Sequence, residues 1–182
     1  MWPRRSSALT RRAATHPPPE RSLPGLVLAT MEATPGDMRY INAIIIHCTA
    51  TEDGKNFTLA DVKAWHTSPP PRGNGWRNCG YHYIVRLDGT VERGMPISQP
   101  GIHCRGHNAH SVAVCYVGGL RHGKPADTRT PAQKQALLKL IAKLTLMYRC
   151  HTYGHRDFTA KDCPCFDAKS EYAGLFNQLV KD

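Results

Sequence analysis

No apolar run in the 182 residues approaches the roughly 18 to 20 that a membrane-spanning helix needs. The longest contenders, such as residues 43–46, are strand-sized, and the chain is expected to be soluble. Acidic side chains are scarce: 14 Asp and Glu face 24 Lys and Arg, for a formal net charge of +10 and a pI near 9.5. Such a balance implies attraction to a polyanion, whether nucleic acid, an anionic membrane surface or a wall bearing acidic polymers. Signals for sequence readout are missing as well, with no basic stripe interleaved with aromatics, no helix-turn-helix signature and no finger spacing, so nucleic acid is not the expected partner. The chain shows no internal repeat. Its seven cysteines, Cys48, Cys79, Cys104, Cys115, Cys150, Cys163 and Cys165, lack the dense regular spacing of a small disulfide scaffold. They are expected to be mostly reduced thiols, with room for a metal ligand.

Large apolar side chains are few in residues 1–37, which hold six of the fourteen prolines and no lysine. Such a stretch buries too little surface to offset the entropy of ordering, so a disordered tail is expected there. No secretory signal is recognisable, because the short apolar stretch 23–29 is broken by Pro24 and Gly25. Met31 and Met38 lie just ahead of strand-like sequence, so the tail is either a disordered extension or the product of a start assigned too far upstream. The basic excess persists without it. A length of 182 suits one domain, here 38–182, plus that tail.

Within the domain, residues 40–47 read YINAIIIH, the near-continuous β-branched run of a central strand buried on both faces. Thr58 to Asp61 forms a capping-box start to a short helix carrying Leu59, Val62, Trp65 and His66, which must end before Pro69. Residues 81–87 and 90–93 flank Asp88-Gly89 and predict a hairpin with a tight two-residue turn. Residues 112–117 predict another buried strand. The clearest helix begins at Thr130, with Pro131 at its first position, Gln133 placed to complete the cap, and Leu137, Leu140, Ile141, Leu144 and Tyr148 on one face. A last helix is expected at about residues 168–180. Interleaved strands and helices with one hairpin indicate a single α/β domain, a central mixed β-sheet flanked by helices.

Three residues stand where strands end and loops begin. His47 terminates the first strand, while His155 and Cys163 lie in GHRDFTAKDCP, between a short strand-like stretch and the final helix. Imidazole and thiolate are both good zinc ligands, and three protein ligands with a fourth position left to water is a catalytic arrangement. A structural site would close with four, and no second CxxC or HxxxH pair is present. Spacing alone favours the plainer reading of a satisfied strand-end histidine, a surface loop histidine and an inert small hydrophobe. No carboxylate stands where HExxH metalloproteases keep their general base.

HCTAT at 47–51, GYHY at 80–83, DGTVERG at 88–94, NAHSVAVCYVGG at 108–119, TPAQ at 130–133 and H-x7-C-P-x-F-D from His155 to Asp167 run in order along the chain. Together they resemble the phage-lysozyme-type N-acetylmuramoyl-L-alanine amidases, the family that includes the animal peptidoglycan recognition proteins. The resemblance covers the chain from about Met38 onward and none of the tail. It implies that His47, His155 and Cys163 bind zinc, that Tyr81 and Lys161 are the catalytic side chains beside it, and that His103 and Asn108 fall in the groove holding the muramyl peptide. Family relatives often carry a small polar residue where this chain has Cys165. The expected activity is zinc-dependent cleavage of the amide between N-acetylmuramic acid and L-alanine, as a phage or prophage lysis enzyme or in wall remodelling. The expected partner is peptidoglycan, the expected state a monomer, and the expected location the cytoplasm until release to the wall. Two alternatives stay open: a peptidoglycan binder without catalysis, and a basic regulator of nucleic acid or a polymerase.

His82, next to Tyr81, is expected on the opposite strand face, in packing or at the surface. By the same rule Cys48 should face away from a metal on His47, and Cys115 should lie in the core. His66, His107, His110, His122 and His151 are expected to be solvated or to lie behind the ligands.

Overall fold

A computed structural model of the chain describes residues 39–180, and the tail expected over 1–37 lies outside them. In chain order the elements are β1 (Ala43–Cys48), β2 (Thr51–Glu52), α1 (Leu59–Thr67), β3 (Tyr83–Val85), β4 (Val91–Arg93), β5 (Ser111–Tyr116), β6 (Gly119–Arg121), β7 (Lys124–Pro125), α2 (Pro131–Tyr148), β8 (His151–Gly154) and α3 (Ala168–Leu179). Single turns of 3-10 helix occupy Asn108–His110 and His155–Asp157.

The main sheet has the order β4-β3-β5-β1-β8, parallel throughout except for the antiparallel edge pair β3 and β4. This is the mixed sheet that the pattern predicts. A central parallel strand is covered on both faces, so β1 needs no polar alternation, and all six of its residues are buried. Ile44, Ile46, Val112, Val114 and Tyr116 pack against Leu137, Ile141 and Leu144 of α2 and Tyr172 and Leu175 of α3. On the other face Ile84, Cys115 and Val117 meet Val62 of α1, and Ala43 and Ile45 meet Cys104. Full burial of one aliphatic side chain contributes about 1.5–3 kcal/mol, so Ile44, Ile45 and Ile46 together contribute roughly 5–9 kcal/mol, comparable with the net stability of a whole domain. Displacing β1 therefore unfolds the protein.

Both capping boxes form. Thr58 and Asp61 satisfy each other's backbone N–H at the start of α1, as do Thr130 and Gln133 at the start of α2, where Pro131 occupies the first turn. The hairpin is looser than expected. Gly89 N–H donates to Arg86 O at 2.9 Å, and of Asp88 and Gly89 only Gly89 has a positive φ, of 84°. The loop is a turn closed by a left-handed glycine, not a two-residue turn with two positive φ angles. A Cβ on Gly89 would stand 2.9 Å from the Ala132 carbonyl at the start of α2, so packing and backbone conformation both require glycine there. The second, small sheet β2-β6-β7 was not foreseen. Its strands of two or three residues are too short to carry periodicity.

Candidate functional site

Parallel pairing brings the candidate ligands together. β8 lies directly beside β1, with Gly154 opposite Ile46, so the residue that follows β8, His155, emerges next to His47. Their ring centroids are 4.5 Å apart. The loop after the 3-10 turn then folds back: Arg156 N–H donates to Cys163 O at 2.6 Å, and Cys48 N–H donates to Cys163 Sγ at 3.2 Å. Cys163 Sγ ends 3.8 Å from His47 Nδ1. Candidate ligand atoms of His47, His155 and Cys163 all lie within 4.8 Å of one another.

Whether this trio suits zinc can be tested on its donors. Ligands about 2.0 and 2.3 Å from one tetrahedral ion stand about 3.6 Å apart, close to the nitrogen–sulfur separation found. Protonation states fit as well. Burial holds the His47 imidazole well below its usual range, reinforced by His103, His155 and Lys161. Burial, then Lys161, does the same more mildly for His155. Cys163 is shifted toward thiolate by its hydrogen bond with the Cys48 side chain; burial opposes this, and the Cys48 N–H and Lys161 assist. Neutral imidazoles and a thiolate are the forms that bind metal. The donor set fits zinc.

Tyr81 sits just before β3, and its ring centroid is 5.1 Å from that of His47 and 5.2 Å from that of His66. Burial pushes its hydroxyl well above the usual phenol range, so at neutral pH it is a hydrogen-bond donor. Lys161 is exposed, two residues before Cys163, and its charge reaches His47, His155 and Cys163. His103 touches His47 directly, with Nδ1 3.0 Å from His47 Nε2. Asn108 uses its side-chain oxygen on the backbone N–H groups of His103 and Cys104, at 3.0 and 2.9 Å. All seven residues singled out from the sequence thus lie in or against one cluster, His103 inside it and Asn108 bracing the loop behind.

Of the two placements expected for it, His66 takes the one behind the ligands: it is buried with its ring centroid 5.2 Å from that of Tyr81, its Nδ1 accepts from Gly80 N–H at 3.0 Å, and Trp76 packs against its ring with centroids 4.7 Å apart. Its position four residues after Val62, on the inner face of α1, was the available signal. His107, His110, His122 and His151 are exposed as expected. His82 is buried and accepts from Ala113 N–H through Nδ1, a packing role. Cys48 lies with Ile44 and Ile46 on the α2 and α3 face of β1, yet its thiol is not turned away from the ligand set: it hydrogen-bonds with Cys163 and also meets Cys165, with Sγ atoms 3.7 Å apart. All seven cysteines are free thiols. Ser111 and Arg39 also join the cluster's surroundings: Arg39 donates to the carbonyls of Ile97, Asn108, Ala109 and Ser111 and so ties the loop before β5 to the domain's first described residue.

The sequence pattern of a family described as N-acetylmuramoyl-L-alanine amidase matches residues 37–166. Aligned with the endolysin of Klebsiella phage KP32, the chain is 40% identical over 128 residues, 69% of this chain and 82% of that protein. Against the endolysin of Escherichia phage T7 the identity is 38% over 130 residues, 70% and 83% of the two chains. Among solved structures, the N-acetylmuramoyl-L-alanine amidase LysC from Clostridium intestinale URNW superposes with a TM-score of 0.62 at 26% identity, covering 85% of this chain and 96% of that one.

Proposed function

Since this chain belongs to the N-acetylmuramoyl-L-alanine amidase family, we propose that it hydrolyses the amide between N-acetylmuramic acid and the first L-alanine of the peptidoglycan stem, with zinc held by His47, His155 and Cys163. The observation that carries this reading is the convergence of those three donors, each shifted in the direction of its metal-binding form, beside Tyr81 and Lys161. When bound, zinc supplies Lewis acidity toward the carbonyl and a water of lowered pKa. Everything else falls to the chain's own side chains.

In the hydrolysis, water oxygen bonds to the carbonyl carbon, the C–N bond breaks, and the alanine nitrogen leaves with a proton. Negative charge builds on the carbonyl oxygen as the carbon becomes tetrahedral. The Lys161 ammonium, whose field already spans the ligand cluster, stabilises that charge, and the Tyr81 hydroxyl donates a hydrogen bond to the tetrahedral centre. Tyr81 packs between the His47 and His66 rings, and its side chain also hydrogen-bonds with the buried Cys115. The muramyl peptide is placed against the loop carrying His103 and Asn108. Cys165 stands outside the ligand set, hydrogen-bonded to Gly119 O at 3.1 Å.

The site is assembled from one chain, in keeping with a monomer. Among the described residues no helix is long and apolar enough to cross a membrane. The likeness to phage endolysins supports a location in the cytoplasm until the membrane is breached, in the manner of a lysis enzyme. A catalytic domain of 38–182, with 1–37 outside it, completes the proposal. It is tested on purified sacculi: the protein should free stem peptides with a new N-terminal alanine and leave glycan chains intact, stop on chelation and resume when zinc is restored. Sacculi that bind the protein and release nothing indicate the non-catalytic binder; salt-dependent nucleic-acid affinity, indifferent to zinc, indicates the basic regulator.

A further inference from the structure

His103 and Ser111 form a chain of hydrogen bonds with only one possible direction, and it ends on His47. The Ser111 hydroxyl lies 2.7 Å from the His107 carbonyl, and a carbonyl can only accept, so the hydroxyl hydrogen points there. Ser111 Oγ is also 3.1 Å from His103 Nε2. Its hydrogen being committed, Oγ accepts, and His103 Nε2 carries the hydrogen. A neutral imidazole has one N–H, so His103 Nδ1 is bare. That bare nitrogen is 3.0 Å from His47 Nε2, and two ring nitrogens at that distance hold one hydrogen between them. His47 Nε2 therefore bears it, leaving His47 Nδ1 with a free lone pair on the side where Cys163 Sγ lies at 3.8 Å.

We propose that Ser111, through His103, sets the tautomer and ring orientation of His47, presenting Nδ1 to the metal; both are positioning residues. The inference rests on the zinc reading above and deepens it. The surroundings hold the relay in place. Asn108 pins the His103 and Cys104 backbone N–H groups. A Cβ on Gly101 would meet His103 Cδ2 at 2.8 Å, His82 Cε1 at 3.0 Å and the Gly80 carbonyl at 2.6 Å, so the loop closes on the two rings only because residue 101 has no side chain. His82 does not compete for the relay, since its Nδ1 is used by Ala113 N–H and its Nε2 lies 3.0 Å from Gln99 O. Ser111 is fully buried at the start of β5, where no solvent can substitute for its hydroxyl. With both nitrogens engaged inward, His103 offers substrate its ring carbons and no hydrogen bond.

Two measurements test this. In metal-free wild type, side-chain nitrogen NMR should report His47 with Nε2 protonated and Nδ1 bare, and Ser111→Ala should convert His103 and His47 to tautomer mixtures. Zinc titration against a chromophoric chelator should show binding about 10 to 100-fold weaker in His103→Phe, the usual loss when a ligand's outer partner is removed. His103→Asn, whose side-chain oxygen can accept where Nδ1 did, should recover part of that loss. Wild-type His47 carrying its hydrogen on Nδ1, or wild-type zinc affinity in a folded His103→Phe, overturns the proposal. Wild type that takes up no zinc overturns the metal reading instead, and the tautomer measurement, made without metal, still decides the relay.

Discussion

Gln133 offers the sharpest test of how the fold frames the site. Its side chain is fully buried in the first turn of α2. Nε2 donates to Val117 O at 2.9 Å and Val85 O at 3.1 Å, just past the end of β5 and at the end of β3, and Oε1 accepts from Thr130 N–H at 3.0 Å. Gln133→Leu keeps the volume and removes all three bonds. Val85 O still has Val117 N–H at 2.9 Å, so two groups lose a partner, Val117 O and Thr130 N–H. Each orphaned polar group shielded from water costs about 1–3 kcal/mol, and the gain from burying an apolar side chain offsets roughly 1 kcal/mol, leaving a net loss of about 1–5 kcal/mol, centred near 3 kcal/mol. For a domain of this size that is a fall in Tm of roughly 10 °C. Thermal melts and urea titrations of wild type and variant measure it. No ligand contacts Gln133, so zinc affinity of the folded variant should match wild type. A loss below about 0.5 kcal/mol would refute the accounting of buried partners, and a large drop in zinc affinity without loss of stability would refute the separation of frame from site.

Three further outcomes are expected. Tyr81→Phe and Lys161→Met should each lower amide cleavage about 100 to 1,000-fold, the usual cost of one oxyanion donor, with zinc content unchanged by metal analysis; loss of metal would instead make them supports of the ligand cluster. Cys163→Ala should abolish both zinc uptake and cleavage, and cleavage that continues in the metal-free variant removes the mechanism. In the capping box of α1, the Thr58 N–H and hydroxyl bonds hold the Asp61 carboxyl below its ordinary value. A depressed acid contributes stability above its unfolded pKa and loses it as pH falls through the folded one, so Asp61→Asn should narrow the stability gap to wild type as pH drops below about 4. A gap that widens on acidification contradicts the sign.

The sequence made the long elements legible and the short ones not. β1, β5, α1 and α2 carry either a continuous β-branched run or a helical stripe behind a capping residue, and those signals are local. β2 and β6 pair across about 70 residues, where Glu52 accepts from the His122 and Gly123 N–H groups and Arg121 pairs with Asp53, and β7 only adds a short hairpin to β6. The ligand trio was visible as residue types at element ends, and its convergence follows from a strand order that residues alone do not state. His103 was assigned to the muramyl-peptide groove by resemblance alone, since nothing local says which way a loop imidazole turns, and nothing in the sequence pairs it with Ser111. Alternation separates Cys48 from His47 across β1, but could not foretell that Cys163 and Cys165 would both be folded against the Cys48 thiol.

β1 is inserted between β5 and β8, and the donors it helps gather are 116 residues apart in the case of His47 and Cys163. No proteolytic fragment or nascent chain ending before β8 carries more than one of them. On the proposed function, capture of an ion is thus linked to completion of the sheet, and a chain that stops before β8 cannot assemble the three-donor site.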